Sequence, residues 1–194
     1  MSKSVGTLTS RAFPDFVADR LGRKSVWVMS FVLGTSLGAQ VAVPLPITPV
    51  PITLQPLFVI LAGAMLGPRL GSVSMGLYVT LGMLGAPVFS NGAGGLAWLF
   101  GPTGGYLLAS PAAAFVAGWI AGNRGKMLRT ICGLSGGLLT MYAGGFGWLV
   151  VLTGQPFTEA FALGIAPFLV GDVVKVCLAW GIIQTCCSTG FDRL

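Results

Sequence analysis

Apolar residues run through this chain in long uninterrupted stretches, and the polar residues collect in the short segments between them. A hydrocarbon core of ~30 Å takes about 20 apolar residues of helix to cross. On that scale the pattern predicts six spans: 25–43, 53–67, 70–86, 102–122, 129–153 and 158–187. The second and third form a hairpin of short helices turned at Gly67-Pro68-Arg69. Between the spans, 44–52 carries Pro44, Pro46, Pro49 and Pro51, which forbid regular helix and force extended chain. Residues 89–95 are rich in glycine and non-helical, and Trp98, an interfacial residue type, follows them.

Charge sharpens the pattern. Of 194 residues only 8% are charged, while 54% are apolar before the 30 glycines are added. A soluble domain carries roughly 25% charged residues, and a water-exposed surface so poor in them would aggregate. The chain is therefore read as an integral membrane protein in a lipid bilayer. The net charge of +6 reflects few acids and not a basic patch, so no nucleic-acid partner is expected. With the N-terminus inside, the inner segments hold Lys3, Arg11, Arg20, Arg23, Lys24, Arg69, Arg124, Lys126, Arg129 and Arg193, and the outer ones hold no Lys or Arg. By the positive-inside rule this predicts N-in, C-in topology. The organisation is then a basic cytoplasmic segment 1–24, a six-helix domain 25–187 and a tail 188–194. Residues 1–24 lack a small-residue cleavage site, so the first apolar run is expected to stay as a span. The four cysteines fall in or at the ends of apolar runs and suggest no disulfide framework.

The remaining basic residue, Lys175, lies inside a span, three positions from Asp172 and so on the same helix face. A continuous sixth helix rising 1.5 Å per residue from Thr158 sets the pair about 20 Å down, near the midplane. Charges at that depth are costly and mark a substrate or ion path. A structural ion pair is the plainer alternative, but such a pair adds little net stability over apolar residues. Gln55 opens the second helix beside the Pro-rich segment, Asn91 lies in the Gly-rich loop, and Tyr106 stands at the outer end of the fourth span. All three fall on one side of the membrane, as does Gln40 at the end of the first span. Together with the two irregular outer segments they suggest an outward-facing, lidded site. Ser30, Gly34, Gly38 and Ala42 form a ribbon of small residues at spacing four on the first helix. Such a ribbon admits a partner helix, or packs against the chain's own helices.

The chain has no histidine and no metal cluster, so neither a metal nor a cofactor is expected. Gly22-Arg23-Lys24-Ser25 lacks the glycines of a phosphate-binding loop, and acids near the spans are confined to Glu159 and Asp172. An enzyme is not expected.

Four motifs in order carry a family resemblance: P-V-P-I-T-L-Q at 49–55, L-G-P-R-L-G at 66–71, G-P-T-G-G-Y at 101–106 and G-D-V-V-K at 171–175. Over 25–187 the chain resembles the biotin-specific substrate-binding subunits of energy-coupling factor transporters, the BioY family. The resemblance implies a six-helix bundle in a prokaryotic cytoplasmic membrane, with a deep site near the outer face capped by outer loops. It implies biotin as ligand, and a transmembrane coupling subunit with two cytoplasmic ATPases as partners. The helix-six motif falls on Asp172 and Lys175, the T-L-Q motif on Gln55, and Asn91 matches approximately. Helix one of such subunits presents small residues to the coupling subunit, which Ser30, Gly34, Gly38 and Ala42 fit. Biotin's ureido group offers two N–H donors and a carbonyl, suited to a carboxylate and an ammonium. Lys175 is equally able to meet the valerate carboxylate. The rival expectation is a self-sufficient secondary transporter, with the Asp–Lys pair relaying an ion.

Overall fold

The structure, a computed structural model, describes residues 12–122 and 126–188, with side chains over 22–122 and 126–186. The segments 1–11, 123–125 and 189–194, with Lys3, Arg11, Arg124 and Arg193, lie outside the described residues, as does the side chain of Arg20. Helix α1 spans Ala12–Gln40, strands β1 and β2 span Ala42–Leu45 and Thr48–Thr53, and α2 and α3 span Gln55–Leu66 and Pro68–Met83. A 3₁₀ turn at Ser90–Gly92 and the short helix α4, Leu96–Leu99, lead into α5, Gly104–Ala121. The chain closes with α6 at Met127–Thr153, α7 at Phe157–Gly164 and α8 at Leu169–Ser188.

Four described stretches are long and apolar enough to cross a membrane: Gln55–Met83, Gly104–Ala121, Met127–Thr153 and Leu169–Cys186. The first of these is not one rod. It reverses at Gly67, whose φ of 82° is open to glycine at little cost, and a Cβ at Gly71 would fall 2.8 Å from Gly63 Cα. The chain is thus a mostly helical, multi-pass membrane protein.

Two boundaries differ from expectation. Helix α1 begins at Ala12, so the first helix extends back through residues 12–24, ahead of the expected span. Its 29 residues span about 44 Å, longer than the hydrocarbon core. The helix stops at Gln40 because Pro44 and Pro46 cannot continue it, and the chain instead enters an antiparallel hairpin pairing Val43 with Ile52 and Leu45 with Thr48. Pro44 sits at the register shift of that ladder, where a missing N–H is tolerated. The second difference is larger. The expected sixth helix is broken into α7 and α8, with turns over 165–168 around Pro167.

Lipid offers no hydrophobic drive between helices, so they associate by close packing of small residues. A Cβ at Gly133 would lie 2.6 Å from the Ala117 carbonyl oxygen, and one at Gly137 2.9 Å from Ala117 Cβ, so α6 sits tightly on α5. Gly63 and Gly118 allow α2 and α5 the same approach. The core is built where these helices meet, from Val59, Ile60, Ala113, Ala114, Leu134 and their neighbours. Gly118 faces the Gly67–Pro68 turn, and Gly133 faces Ala121, so the turn before Arg69 and the start of α6 share one end of the bundle. The hairpin and the 86–103 segment occupy the opposite end, with Leu54 N–H donating to Gly38 O at 3.1 Å.

The small-residue ribbon is not an open stripe. A Cβ at Gly34 would lie 2.9 Å from Phe58 Cδ1, and one at Gly38 2.7 Å from Phe58 Cδ2. Both glycines therefore receive the Phe58 ring of the chain's own α2. Ala42 has left the helix for β1, and Ser30 is exposed with its hydroxyl turned back to Val26 O at 2.9 Å. Of the two alternatives for the ribbon, internal packing accounts for Gly34 and Gly38.

Candidate functional site

The break between α7 and α8 creates the site. Pro167 has no N–H, so Leu163 O loses the helical donor four residues on. Thr48 Oγ1 of β2 supplies a bond to that oxygen at 2.8 Å. Phe168 N–H donates to Ile165 O, leaving Gly164 O open, and the Tyr106 hydroxyl donates to it at 2.6 Å. Gly145 on α6 makes room for the Tyr106 ring. Two carbonyls freed by one proline are thus satisfied by β2 and α5, as buried carbonyls must be.

Beyond the break, α8 starts afresh and carries Asp172 in its first turn, where a helix N-terminus favours negative charge. This replaces the expected position 20 Å down a continuous helix: the 1.5 Å ruler fails across the turns. Asp172 and Lys175 are both buried. Lys175 Nζ donates to Asp172 Oδ1 at 2.6 Å, and the Tyr142 hydroxyl of α6 donates to Asp172 Oδ2. The ammonium has three donors, and this is its one bond among the described residues. Gln55, at the start of α2, is buried with its carboxamide unbonded among the described residues.

These groups line one cavity. Gln55, Tyr106, Asp172 and Lys175 all face it, together with Thr53, Ser90, Thr103 and Tyr142. Its apolar walls are Phe89, Trp98, Leu138, Met141 and Phe168. Asn91 does not reach this chamber: it is exposed, holds a left-handed backbone (φ 59°, ψ 31°), and borders the adjoining outer chamber. Its neighbour Ser90 turns inward instead. Gln40 braces the loop, its Nε2 donating to Phe89 O at 3.0 Å and its Oε1 accepting from Gly92 N–H at 2.8 Å.

Tyr142 was not singled out by sequence reasoning. A phenol in the middle of an apolar span, away from either interface, needs a polar partner, and that was the available clue. No group of three His, Cys, Asp or Glu able to hold a metal exists among the described residues. The site can therefore bind a solute of mixed character, apolar on most sides and rich in hydrogen-bonding groups at one edge.

Comparison with known proteins agrees. The chain matches the BioY family model over residues 9–190. It is 50% identical over 152 residues to a "Probable biotin transporter BioY" of Pyrococcus horikoshii, covering 78% of this chain and 88% of that one. It is 37% identical to a "Biotin transporter BioY" of Rhizobium etli, covering 74% and 81% respectively. The fold superposes on a crystal structure described as the S-component for biotin from an ECF-type ABC transporter, with a TM-score of 0.77 and 25% identity over 94% of this chain and 95% of that one. The chain is a member of the BioY family.

Proposed function

We propose that this chain captures biotin from outside the cell and delivers it through the cytoplasmic membrane as the substrate-binding subunit of an energy-coupling factor importer. The observation that carries the reading is the buried Tyr142–Asp172–Lys175 cage with Gln55 beside it at the edge of an aromatic chamber. A ureido group has two N–H donors and a carbonyl acceptor, which the carboxylate and carboxamide oxygens and the free ammonium donors complement. The thioether ring and alkyl chain suit the walls of Trp98, Phe89, Met141 and Phe168.

The same end-to-end asymmetry supports an outward-facing orientation. The described basic residues Arg69, Lys126 and Arg129 gather where the α2–α3 turn meets the start of α6, and the chamber opens under the hairpin at the other end. With basic residues inside, the ligand enters from outside. The chain lacks a phosphate-binding loop, so energy comes from partners, a transmembrane coupling subunit and two cytoplasmic ATPases. An ion-coupled carrier is less well supported, since Asp172 is the lone acid in the four described stretches long enough to cross a membrane and its two oxygens already hold Tyr142 and Lys175.

The test is direct. Purified protein should bind radiolabelled biotin, and cells should accumulate it only when the ATPase and coupling subunits are co-expressed. Full uptake without them would sink the importer assignment in favour of a self-sufficient carrier.

A further inference from the structure

A second chamber adjoins the first. It lies between the β1–β2 hairpin and the 90–103 segment, bordered by Leu45, Thr48, Asn91 and Ala97. Pro51, Ser90, Trp98 and Thr103 line both chambers, so the two adjoin at these residues, the neck between them. The two differ in size and chemistry. The inner cavity is about 60 Å³, room for roughly four waters, whereas the outer one is about 360 Å³. The inner chamber holds one carboxylate and one ammonium, already paired. The outer chamber is lined by proline, glycine, threonine, serine and asparagine together with Leu45, Ala97 and Trp98, with no charged side chain among the described residues.

These differences orient a ligand that has a neutral head and an anionic tail. The inner cage is electrically balanced, so a buried carboxylate would add an uncompensated charge, while a neutral ureido head adds none. The head therefore goes inward. The tail passes the neck toward the outer chamber, where water is at hand and no cation fixes the carboxylate. Nothing at that end demands a negative charge, and the space exceeds what one carboxyl group fills. An amide in its place would find neutral donors and acceptors in Asn91 and the loop backbone.

Resting on the biotin reading above, we propose that the outer chamber is a second subsite that accepts biotin amidated at its carboxyl group, the form in which biotin is released from proteins still joined to lysine. The protein is then a receptor for biotinyl-amines as well as for the free acid.

The experiment is competition against radiolabelled biotin on the purified full chain, with unlabelled biotin and biotinyl-lysine as probes. Biotinyl-lysine is expected to displace the label with an affinity within about tenfold of biotin's. Ala97→Trp narrows the outer chamber without touching the cage, and should weaken biotinyl-lysine at least tenfold more than it weakens biotin. Leu45→Trp, from the opposite wall, should repeat the pattern, and a thermal melt confirms that each variant is folded. Binding of biotin with no displacement by a thousandfold excess of biotinyl-lysine overturns this inference alone. Equal weakening of both ligands by the folded variants, or weakening of neither, also overturns it. Failure of biotin itself to bind the parent protein would overturn the biotin reading and this inference together.

Discussion

The Tyr106 hydroxyl donates to the carbonyl of Gly164 at 2.6 Å, joining α5 to the end of α7 across 58 positions of sequence. With Thr48 bonding Leu163 O at 2.8 Å, it holds the break that lets α8 begin beside the cavity. Tyr106 therefore shapes the site twice, by its ring as wall and by its hydroxyl as brace. Removing the hydroxyl strands a partly buried carbonyl, at a cost of about 1–3 kcal/mol. Tyr106→Phe is expected to lower the melting temperature and weaken biotin several-fold, and Thr48→Val, which borders only the outer chamber, should do the same through α8 alone. Calorimetric binding with parallel thermal melts checks this. A Tyr106→Phe protein with parental stability and affinity would show that the break holds without its brace.

The cage gives the largest expected effects. Asp172→Asn keeps the volume but removes the charge that balances Lys175, and losing one partner of a buried charged contact costs about 2–5 kcal/mol. Biotin affinity should fall at least tenfold, and Lys175→Ala should act likewise. Tyr142→Phe deletes one neutral donor to Asp172 and should cost less than either. The ranking separates a binding cage from a structural pair. If the folded charge variants bind biotin as the parent does, the pair only locks α8, and the ligand lies elsewhere.

Much of this was legible in the sequence because membrane spans are long, simple patterns. The α2–α3 reversal at Gly67 and the extended Pro-rich chain follow from single residues whose backbone needs are strict. Asp172 and Lys175 stood out because charge inside an apolar run has few explanations. What escaped was long-range. Pro167 permits a kink or a full break, and the choice rests on whether Thr48 and Tyr106, distant in sequence, can take the freed carbonyls. Asn91 and Ser90 are adjacent, and only the left-handed backbone at Asn91 determines which one turns to the inner chamber. The ribbon on α1 left two partners open for a related reason: small residues announce close packing but not the partner, and at Gly34 and Gly38 the space is taken by Phe58.

Topology can be checked independently of binding. In a cysteine-free background, Asn91→Cys should react with an impermeant thiol reagent on intact cells, since Asn91 is exposed at the hairpin end. Lys126→Cys, at the other end, should react only after permeabilisation. The reverse pattern would turn the cavity toward the cytoplasm and remove the case for capture from outside.

The contact between α1 and α2 yields a prediction opposite to the one a docking ribbon would give. If Gly34 faced a coupling subunit, Gly34→Leu would leave the isolated protein intact and abolish only assembly. Here the added side chain meets the Phe58 ring, since even a Cβ would lie 2.9 Å from Cδ1. Overpacking of this kind typically costs about 1–3 kcal/mol, so Gly34→Leu should melt earlier in detergent even with no partner present. Because α2 carries Gln55 and α1 braces the 86–92 loop through Gln40, biotin affinity should fall as well. Phe58→Ala empties the same space, and the Gly34→Leu/Phe58→Ala double variant should regain much of the lost stability, a coupling that distant sites do not show. The exposed neighbours Leu33 and Leu37, 61% and 68% accessible, provide the contrast: their replacement by alanine should leave melting and biotin binding near parental values. Parental stability of Gly34→Leu, with loss of co-purified coupling subunit alone, would return the ribbon to the outside of the bundle.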